Sequence, residues 1–565
     1  MFYQNCRLSL CKILVVPVLL FSATSLWGQT SGSKAKPTGS ISGRVSIGEK
    51  PVPGIIVVAG GLNSPTPFGQ ATTDSEGNYR IGGLATGQIN VTPVAPVYVV
   101  PSNPMYGTGR VVNVGLNEAV DGVDFKLTRG GVITGRITDA DGRPVIAERV
   151  NLSIVDENGA PVRAAPPYRA ANYTMYETDD RGIYRIYGLS AGHYKVSAGV
   201  DGQGGIRMTG YYPRVYYPDA ADVAKAAIVD VSEGGETKNI DIKLGRRGAT
   251  YAASGRILDA DTGQPLAGVY YSIGNVQRSQ NESYIGGTSG PGNPTNSRGE
   301  FRMEGLQPGH YAAMVNPPMG NPNQSLGPKV YADPVQFEEV DGDVTNLEVK
   351  ARSGLSISGV IVPDGITDKN LLARLSRFTV NAFMNPGPGE IRTMGSNSAA
   401  RVNADGTFLI EGLRPGKVSL QAYGGDAGLS VTRIEYNGAV ANRGIDLQPG
   451  QNLSGIKIFI TYGTGVIRGQ IKAEGAPLPT DWIIFVSVTK QGEQTRFGTQ
   501  ADSRGRFVIN GIPAGTYEVI LQPTVFSAQP PSGGRPVPQR QTVTVTENAE
   551  IEVTFTLDLT RKEGP

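Results

Sequence analysis

Gly77-Asn-Tyr79-Arg-Ile81-Gly-Gly83-Leu84-Ala-Thr-Gly87 is the first of five near-copies of one stretch. The others are Gly182-Ile-Tyr184-Arg-Ile186-Tyr-Gly188-Leu189-Ser-Ala-Gly192, Gly299-Glu-Phe301-Arg-Met303-Glu-Gly305-Leu306-Gln-Pro-Gly309, Gly406-Thr-Phe408-Leu-Ile410-Glu-Gly412-Leu413-Arg-Pro-Gly416 and Gly505-Arg-Phe507-Val-Ile509-Asn-Gly511-Ile512-Pro-Ala-Gly515. Their first glycines lie 105, 117, 107 and 99 residues apart, so the repeating unit is a domain and not a solenoid turn. In each copy an aromatic and an aliphatic residue two positions apart share one face of a strand. A turn precedes each copy: Asp74 to Gly77, Asp179 to Gly182, Asn296 to Gly299, Asn403 to Gly406 and Asp502 to Gly505. The Asp or Asn side chain bonds the backbone two residues on, and glycine takes the left-handed position. The next glycine interrupts the strand, and the leucine or isoleucine after it is expected to plug one end of a sandwich.

Working outward, each unit opens on a short strand at Ser42-Gly43-Arg44, Thr134-Gly135-Arg136, Ser254-Gly255-Arg256, Ser358-Gly359-Val360 or Arg468-Gly469-Gln470. Turns such as Gly142-Arg-Pro144-Val145 and Gly263-Gln-Pro265-Leu266 follow, and the units close on strands such as Val123 to Leu127 and Val553 to Leu557. Six or seven short strands per hundred residues make two packed sheets. The expected fold is all-β, a tandem array of five seven-stranded antiparallel, prealbumin-like β-sandwiches. The units are placed at 39–129, 130–247, 248–353, 354–462 and 463–560, with a leader at 1–28, a linker at 29–38 and a tail at 561–565. In the fourth unit the turn is replaced by Asp368 to Leu375, read as a short helix. The spacers between units are brief, which predicts a jointed rod.

The opening Ser/Thr-Gly-Arg strand, the Gly-x-Pro turn and the five copies of Gly-x-Tyr/Phe-x-Ile-x-Gly-Leu resemble the carboxypeptidase regulatory-like domain family. That family lies within the transthyretin-like or carbohydrate-binding-like sandwiches, and the resemblance covers nearly all of residues 39–559. It implies an accessory module of the kind attached to peptidases, adhesins and outer-membrane receptors, and it carries no activity of its own. Collagen-adhesin B-type repeats resemble this sandwich too and often hold a Lys–Asn isopeptide bond. Here the strand-opening position is Arg44, Arg136, Arg256, Val360 or Gln470, never lysine, so no such cross-link is expected.

The 76 glycines and 39 prolines are about a fifth of the 565 residues, against about 12% in ordinary chains. Beside regular apolar runs, that excess means turns. Arg7 and Lys12 precede the apolar run Ile13 to Phe21, which reads as a secretory leader with cleavage expected after Gly28. An uncleaved anchor is the alternative, because Leu26 stands where a small residue is usual. Cys6 and Cys11, the two cysteines, fall in the leader, so neither disulfides nor cysteine chemistry are expected beyond it. Without Arg7 and Lys12 the chain carries 50 basic and 50 acidic side chains. That balance gives no reason to expect nucleic acid as a partner. The product is placed in the periplasm, on the outer surface or outside the cell, with no membrane span once the leader is gone.

Candidate chemistry is sparse. His193 and His310 both follow the last glycine of a copy and read as solvated strand-edge residues, since catalytic or zinc histidines need companions. No His-Glu-x-x-His, Gly-x-Ser-x-Gly or phosphate-cradling loop is present. Asp139-Ala-Asp141 and Asp259-Ala-Asp261 read as plain turns before calcium loops. Trp482 opens a core-type strand and reads as packed. No catalytic, metal or cofactor residue is therefore named, and the chain is expected not to be an enzyme. The candidate ligand-binding residues are Tyr211, Tyr212, Tyr216 and Tyr217, in a segment with two prolines. They form either a rigid contact surface or a cover over the sheet edge and the joint with the next unit. Gly/Ser/Asn/Pro loops at 277–297, 385–400 and 526–541 read as recognition loops or as spacers. The expected function is an exported, non-enzymatic binding or structural protein of the bacterial cell envelope. Its partner is polysaccharide or another envelope protein; the alternatives are a protein–protein scaffold or adhesin, or an accessory subunit of a separately encoded peptidase.

Overall fold

The computed structural model describes residues 39–559 except 62–66, 104–106, 116, 163–175, 202–209, 279–282, 290–293, 316–327, 340, 386–390, 394–396, 425–427, 442–443, 477, 479–481, 491–495 and 526–536. The segments expected to be a leader, a linker and a tail lie outside these residues. From Thr38 onward the chain forms one compact unit. It is built from pairs of β-sheets, each pair closing on its own apolar core.

The fifth sandwich shows the plan in its barest form, seven strands in sheets of three and four. Its opening strand Gly465–Glu474 lies between the repeat strand Arg506–Ile512 and the closing strand Glu550–Asp558. The facing sheet runs Arg496–Gln500, Trp482–Thr489, Gly515–Val525, Gln539–Val545. Most pairs are antiparallel, but one is not. Opening and closing strands run parallel in every sandwich, pairing Val45 with Phe125, Ile137 with Ile242, Ile257 with Val349, Ile361 with Ile458 and Ile471 with Phe555. The expected array of largely antiparallel β-sandwiches is present, and this parallel pair is added to it. Alternating apolar residues look the same in either direction, and only a long crossover, here the rest of the sandwich, permits the parallel pair.

The repeated stretch is a packing device in all five copies. Tyr79, Tyr184, Phe301, Phe408 and Phe507 are buried, as are Ile81, Ile186, Met303, Ile410 and Ile509 and the plugging residues Leu84, Leu189, Leu306, Leu413 and Ile512. The aromatic ring sits over the glycine of the opening strand. A Cβ on Gly135 would stand 2.0 Å from the Ile240 carbonyl oxygen, and one on Gly469 would stand 2.0 Å from the Phe507 ring. Tyr79 and Tyr184 also donate to the closing-strand carbonyls of Val123 and Ile240, both at 2.6 Å. A second set of tyrosines, Tyr194, Tyr311 and Tyr517, donates to the carbonyl four residues back, at Ser190, Gln307 and Pro513.

The preceding turns close as expected. Asp74, Asp179, Asn296 and Asp502 each accept the backbone N–H two and four residues on. The strand-opening arginines serve the same corner: Arg44 donates to the Glu76 carbonyl and Arg136 to that of Arg181, while Gln470 reaches Arg504. In the fourth sandwich Lys369–Arg374 is the expected short helix, capped by the Asp368 carboxylate on the Asn370 N–H. Two expected loops are partly strand, at Ser283–Ser289 and Asn397–Arg401, because each adds to a sheet edge whose backbone groups need partners. Most of the loop expected at 526–541 lies outside the described residues.

Gly135→Ala should destabilise by about 1–3 kcal/mol, because its Cβ meets backbone that cannot step aside. Tyr184→Phe should cost about 1–2 kcal/mol by leaving the Ile240 carbonyl unpaired; urea unfolding measures both. Burial raises the hydroxyl pKa of Tyr79 and Tyr184, and pushes Tyr194 up to about 12. Each proton is held more tightly folded than unfolded. The stability these tyrosines contribute is therefore complete below about pH 10, the unfolded value, and is lost as pH rises through the folded value. Tyrosinate absorbance should rise together with loss of β-sheet dichroism; full ionisation of a still-folded chain would contradict this.

Candidate functional site

The four tyrosines singled out by sequence are half-buried, and two of them, Tyr211 and Tyr212, touch the spacer to the third sandwich. Val215–Tyr216 pairs with the end of Gly192–Ala198, and Tyr216 exchanges backbone hydrogen bonds with Ala220. Tyr212 and Tyr217 pack against the core of the second sandwich. Tyr211 exchanges backbone bonds with Gly248 in the spacer, at 2.6 and 3.3 Å, and the Arg247 guanidinium lies 5.4 Å from the Tyr212 ring centre. The structure thus brings all four onto one ribbon on the second sandwich, with its Tyr211–Tyr212 end held against the next joint.

That joint follows a rule shared by all four spacers. The N–H of Gly130 donates to the Val97 carbonyl, Gly248 to Tyr211, Gly354 to Lys329 and Gly463 to Gly428, at 3.1, 2.6, 2.7 and 2.8 Å. Each spacer is thereby tied back to the sandwich it leaves. Gly130, Gly354 and Gly463 also sit against the interrupting glycine of the next repeat, at Gly188, Gly412 and Gly511. A Cβ on Gly130 would stand 2.3 Å from the Gly188 Cα, and one on Gly354 would stand 2.4 Å from the Gly412 Cα. Only glycine allows two backbones this close. Between the third and fourth sandwiches a further tie exists. Arg392–Thr393, from the loop expected at 385–400, extends a sheet of the third sandwich, and Ile391 packs on Val276, Ile285, Ala312 and Met314.

The first and fifth sandwiches also touch, which a simple jointed rod would not allow. Strand Arg110–Val114 and strand Arg506–Ile512 are sheet edges, with unpaired backbone groups along one side. Side-chain amides of the first sandwich serve the edges of the fifth. Gln88 donates to the Gln500 carbonyl at 2.7 Å, and Asn113, buried, donates to the carbonyls of Gln500 and Arg506 at 3.3 and 2.9 Å. Beside them the Glu118 carboxylate lies between two arginines of the fifth sandwich, 3.3 Å from Arg506 and 3.9 Å from Arg468. Glu118 is itself oriented by the Gly115 N–H at 2.7 Å, and Arg468 also reaches Glu550.

A cleft of about 170 Å³ at this contact is lined by Asn113, Glu118, Arg468, Gly469, Arg506 and Phe507. The same groove recurs in the third sandwich around Ser254, Gly255, Arg256, Glu300, Phe301 and Arg302, there at about 510 Å³. In the fifth sandwich the first takes up part of the groove.

The residues of this contact were missed by sequence reading, yet one signal was present. Where the fifth copy has Arg468 the others have Ser42, Thr134, Ser254 and Ser358; where it has Arg506 the others have Asn78, Ile183, Glu300 and Thr407. The other candidates are plain. His193 and His310 face acidic cross-strand partners, with Nδ1 of His193 2.6 Å from Asp230 and Nε2 of His310 3.8 Å from Glu338. Asp139 and Asp259 spend their carboxylates on their own turns, and hydrogen bonds from Thr262 hold the Asp259 carboxyl below the usual range. Among the described residues no group of three or more His, Cys, Asp or Glu is placed to hold a metal. Trp482 is half-buried at the start of its strand.

No family model matches the chain, and no curated protein does. Among solved structures it is similar to a streptococcal ancillary pilin, at 13% identity over 56% of this chain and 98% of that one, with a TM-score of 0.24. It is also similar to the Bacillus anthracis TIE protein, at 13% identity over 81% and 73% of the two chains, TM-score 0.15. A third is the minor pilin GBS52 of Streptococcus agalactiae, at 16% identity over 37% and 96%, TM-score 0.18.

If the Tyr211 ring and Gly248 set the joint together, Gly248→Ala alone should lower stability by about 1–3 kcal/mol, since its Cβ would stand 2.5 Å from that ring. Adding Tyr211→Ala should recover part of the loss in urea unfolding. A double variant that loses the full sum of two separate effects would show that the two residues act independently.

Proposed function

We propose that this chain is an exported, non-enzymatic scaffold of the bacterial cell envelope, which holds five sandwiches in a set arrangement for contact with other proteins. One observation carries the reading. The positions where the five copies differ most tellingly, Tyr211 and Tyr212 in the second and Arg468 and Arg506 in the fifth, are spent on contacts between sandwiches. A chain that commits its distinctive side chains to internal geometry is one whose arrangement is the useful property. The secretory leader, Arg7 and Lys12 before Ile13 to Phe21, supports export. Among the described residues no helix is long and apolar enough to cross a membrane. The opening Ser/Thr-Gly-Arg strands and the five repeats support placing the sandwiches in the carboxypeptidase regulatory-like family.

A second reading, polysaccharide binding at Tyr211, Tyr212, Tyr216 and Tyr217, draws on their partial exposure along a single ribbon. The two readings separate cleanly. Replacing Tyr216 and Tyr217 by alanine in one variant, and Tyr211 and Tyr212 in another, should lower the melting temperature and leave glycan-array signals at background. Glycan binding by the native chain that disappears in variants of native stability would replace the scaffold reading with the second. Hydrolysis of peptides or glycans by the purified chain would refute the non-enzymatic assignment.

A further inference from the structure

The contact between the first and fifth sandwiches joins two unlike surfaces. On one side stand Gln88, Asn113 and Glu118; on the other, the edge carbonyls of Gln500 and Arg506 with the side chains of Arg468 and Arg506. In the single chain the pairing closes on the same molecule. Because the two patches differ, two copies can exchange them reciprocally as a closed pair or pass them on from copy to copy. We propose that these surfaces are a complementary head and tail by which copies of this chain join end to end, exchanging the contact that closes the single chain. The proposal rests on the scaffold reading and names its partner: a second copy of the same chain.

Three features fit that partner. The charges are complementary, a carboxylate set between two guanidinium groups. The tail is specific to one sandwich, because the third presents the same groove with Ser254 and Glu300 in place of the two arginines, and Glu300 would repel Glu118. The contact is also polar: Asn113 and Gln500 are buried in it, while its ion pairs are only partly so, with Glu118, Arg468 and Arg506 at 22%, 27% and 46% side-chain exposure. Such pairs are screened by salt and are individually weak, so the contact opens without unfolding either sandwich. A tethered head meets its own tail at an effective concentration of roughly millimolar, which keeps a dilute chain closed. Copies gathered to comparable local density exchange it.

Charge reversal tests this with full-length protein. One variant carries Glu118→Arg, making the head basic. The other carries Arg468→Ser and Arg506→Glu, giving the tail the residues that the third sandwich already has at those places, so its fold tolerates them. Each alone should stay a single chain, with native circular dichroism but a larger radius of gyration in X-ray scattering than the native protein. Mixed in equal amounts, they should form complexes of two or more chains by light scattering, since each supplies what the other lost. A chain with all three substitutions should regain the native radius. The proposal is overturned if the mixture stays single chains up to near-millimolar concentration, or if neither variant expands. In the first case, with the triple variant closed again, the scaffold reading survives its loss.

Discussion

The parallel hydrogen bonding of opening and closing strands is the constraint on which the rest depends. Because the two strands run side by side in the same direction, the chain enters each sandwich at one end and leaves at the other. The next sandwich therefore begins beyond the end of the last. An antiparallel pair would return the chain to its starting end and leave neighbours free to hang beside one another. The parallel pair also explains the opening glycine. Its Cα must lie against the closing-strand carbonyl while an aromatic ring from the repeat strand paired on its other side covers it, and no side chain fits between.

Given that exit, the joints follow from a small number of backbone contacts. A spacer of a few residues bonds back to the upstream sandwich through one glycine N–H, then passes against the interrupting glycine of the next repeat. The interrupting glycine has a positive φ in every copy, near 75°, and the strand pairing shifts register beside it. It thus serves two ends at once: it makes the bulge that lets the leucine plug the core, and it offers bare backbone to the preceding sandwich. Gly305 keeps the same conformation, but the second-to-third joint reaches its spacer through Tyr211 instead. There the atoms nearest a Cβ on the spacer glycine Gly248 are those of the Tyr211 ring.

What could be read beforehand divides along the range of the interactions. The turn, the buried aromatic–aliphatic pair, the plugging leucine and the Asp368-capped helix are local, and alternation or capping chemistry exposes them directly. Strand direction is not local: Val123 to Leu127 alternates identically whichever way it pairs. The tyrosine ribbon was legible as an aromatic cluster, while its seat against Gly248 depended on where the spacer ran. Asn113 and Arg506 are farther still, 393 residues apart, and nothing in either segment names the other. Only the comparison between copies marks one side of that contact, through arginine where the other copies have Ser42, Thr134, Ser254 and Ser358.

The contrast between the joints and the head-to-tail contact says what each is for. Three of the joints bring glycine backbones close together, and each of the four has a hydrogen bond from a spacer glycine back to the sandwich the chain is leaving. The contact of the first and fifth sandwiches is made of long side chains reaching edge carbonyls and of ions half in water. Amide-to-carbonyl bonds of this kind are each worth about 1 kcal/mol net, and water takes their place once the two sandwiches part. Sheet edges left bare invite any strand that comes along. Covering them with side-chain amides, and selecting the cover with one carboxylate and two arginines, protects the edge while keeping it available to a single partner surface. The joints and the contact between the ends thus rest on different chemistry, glycine backbone in one place and side-chain amides with partly exposed charges in the other.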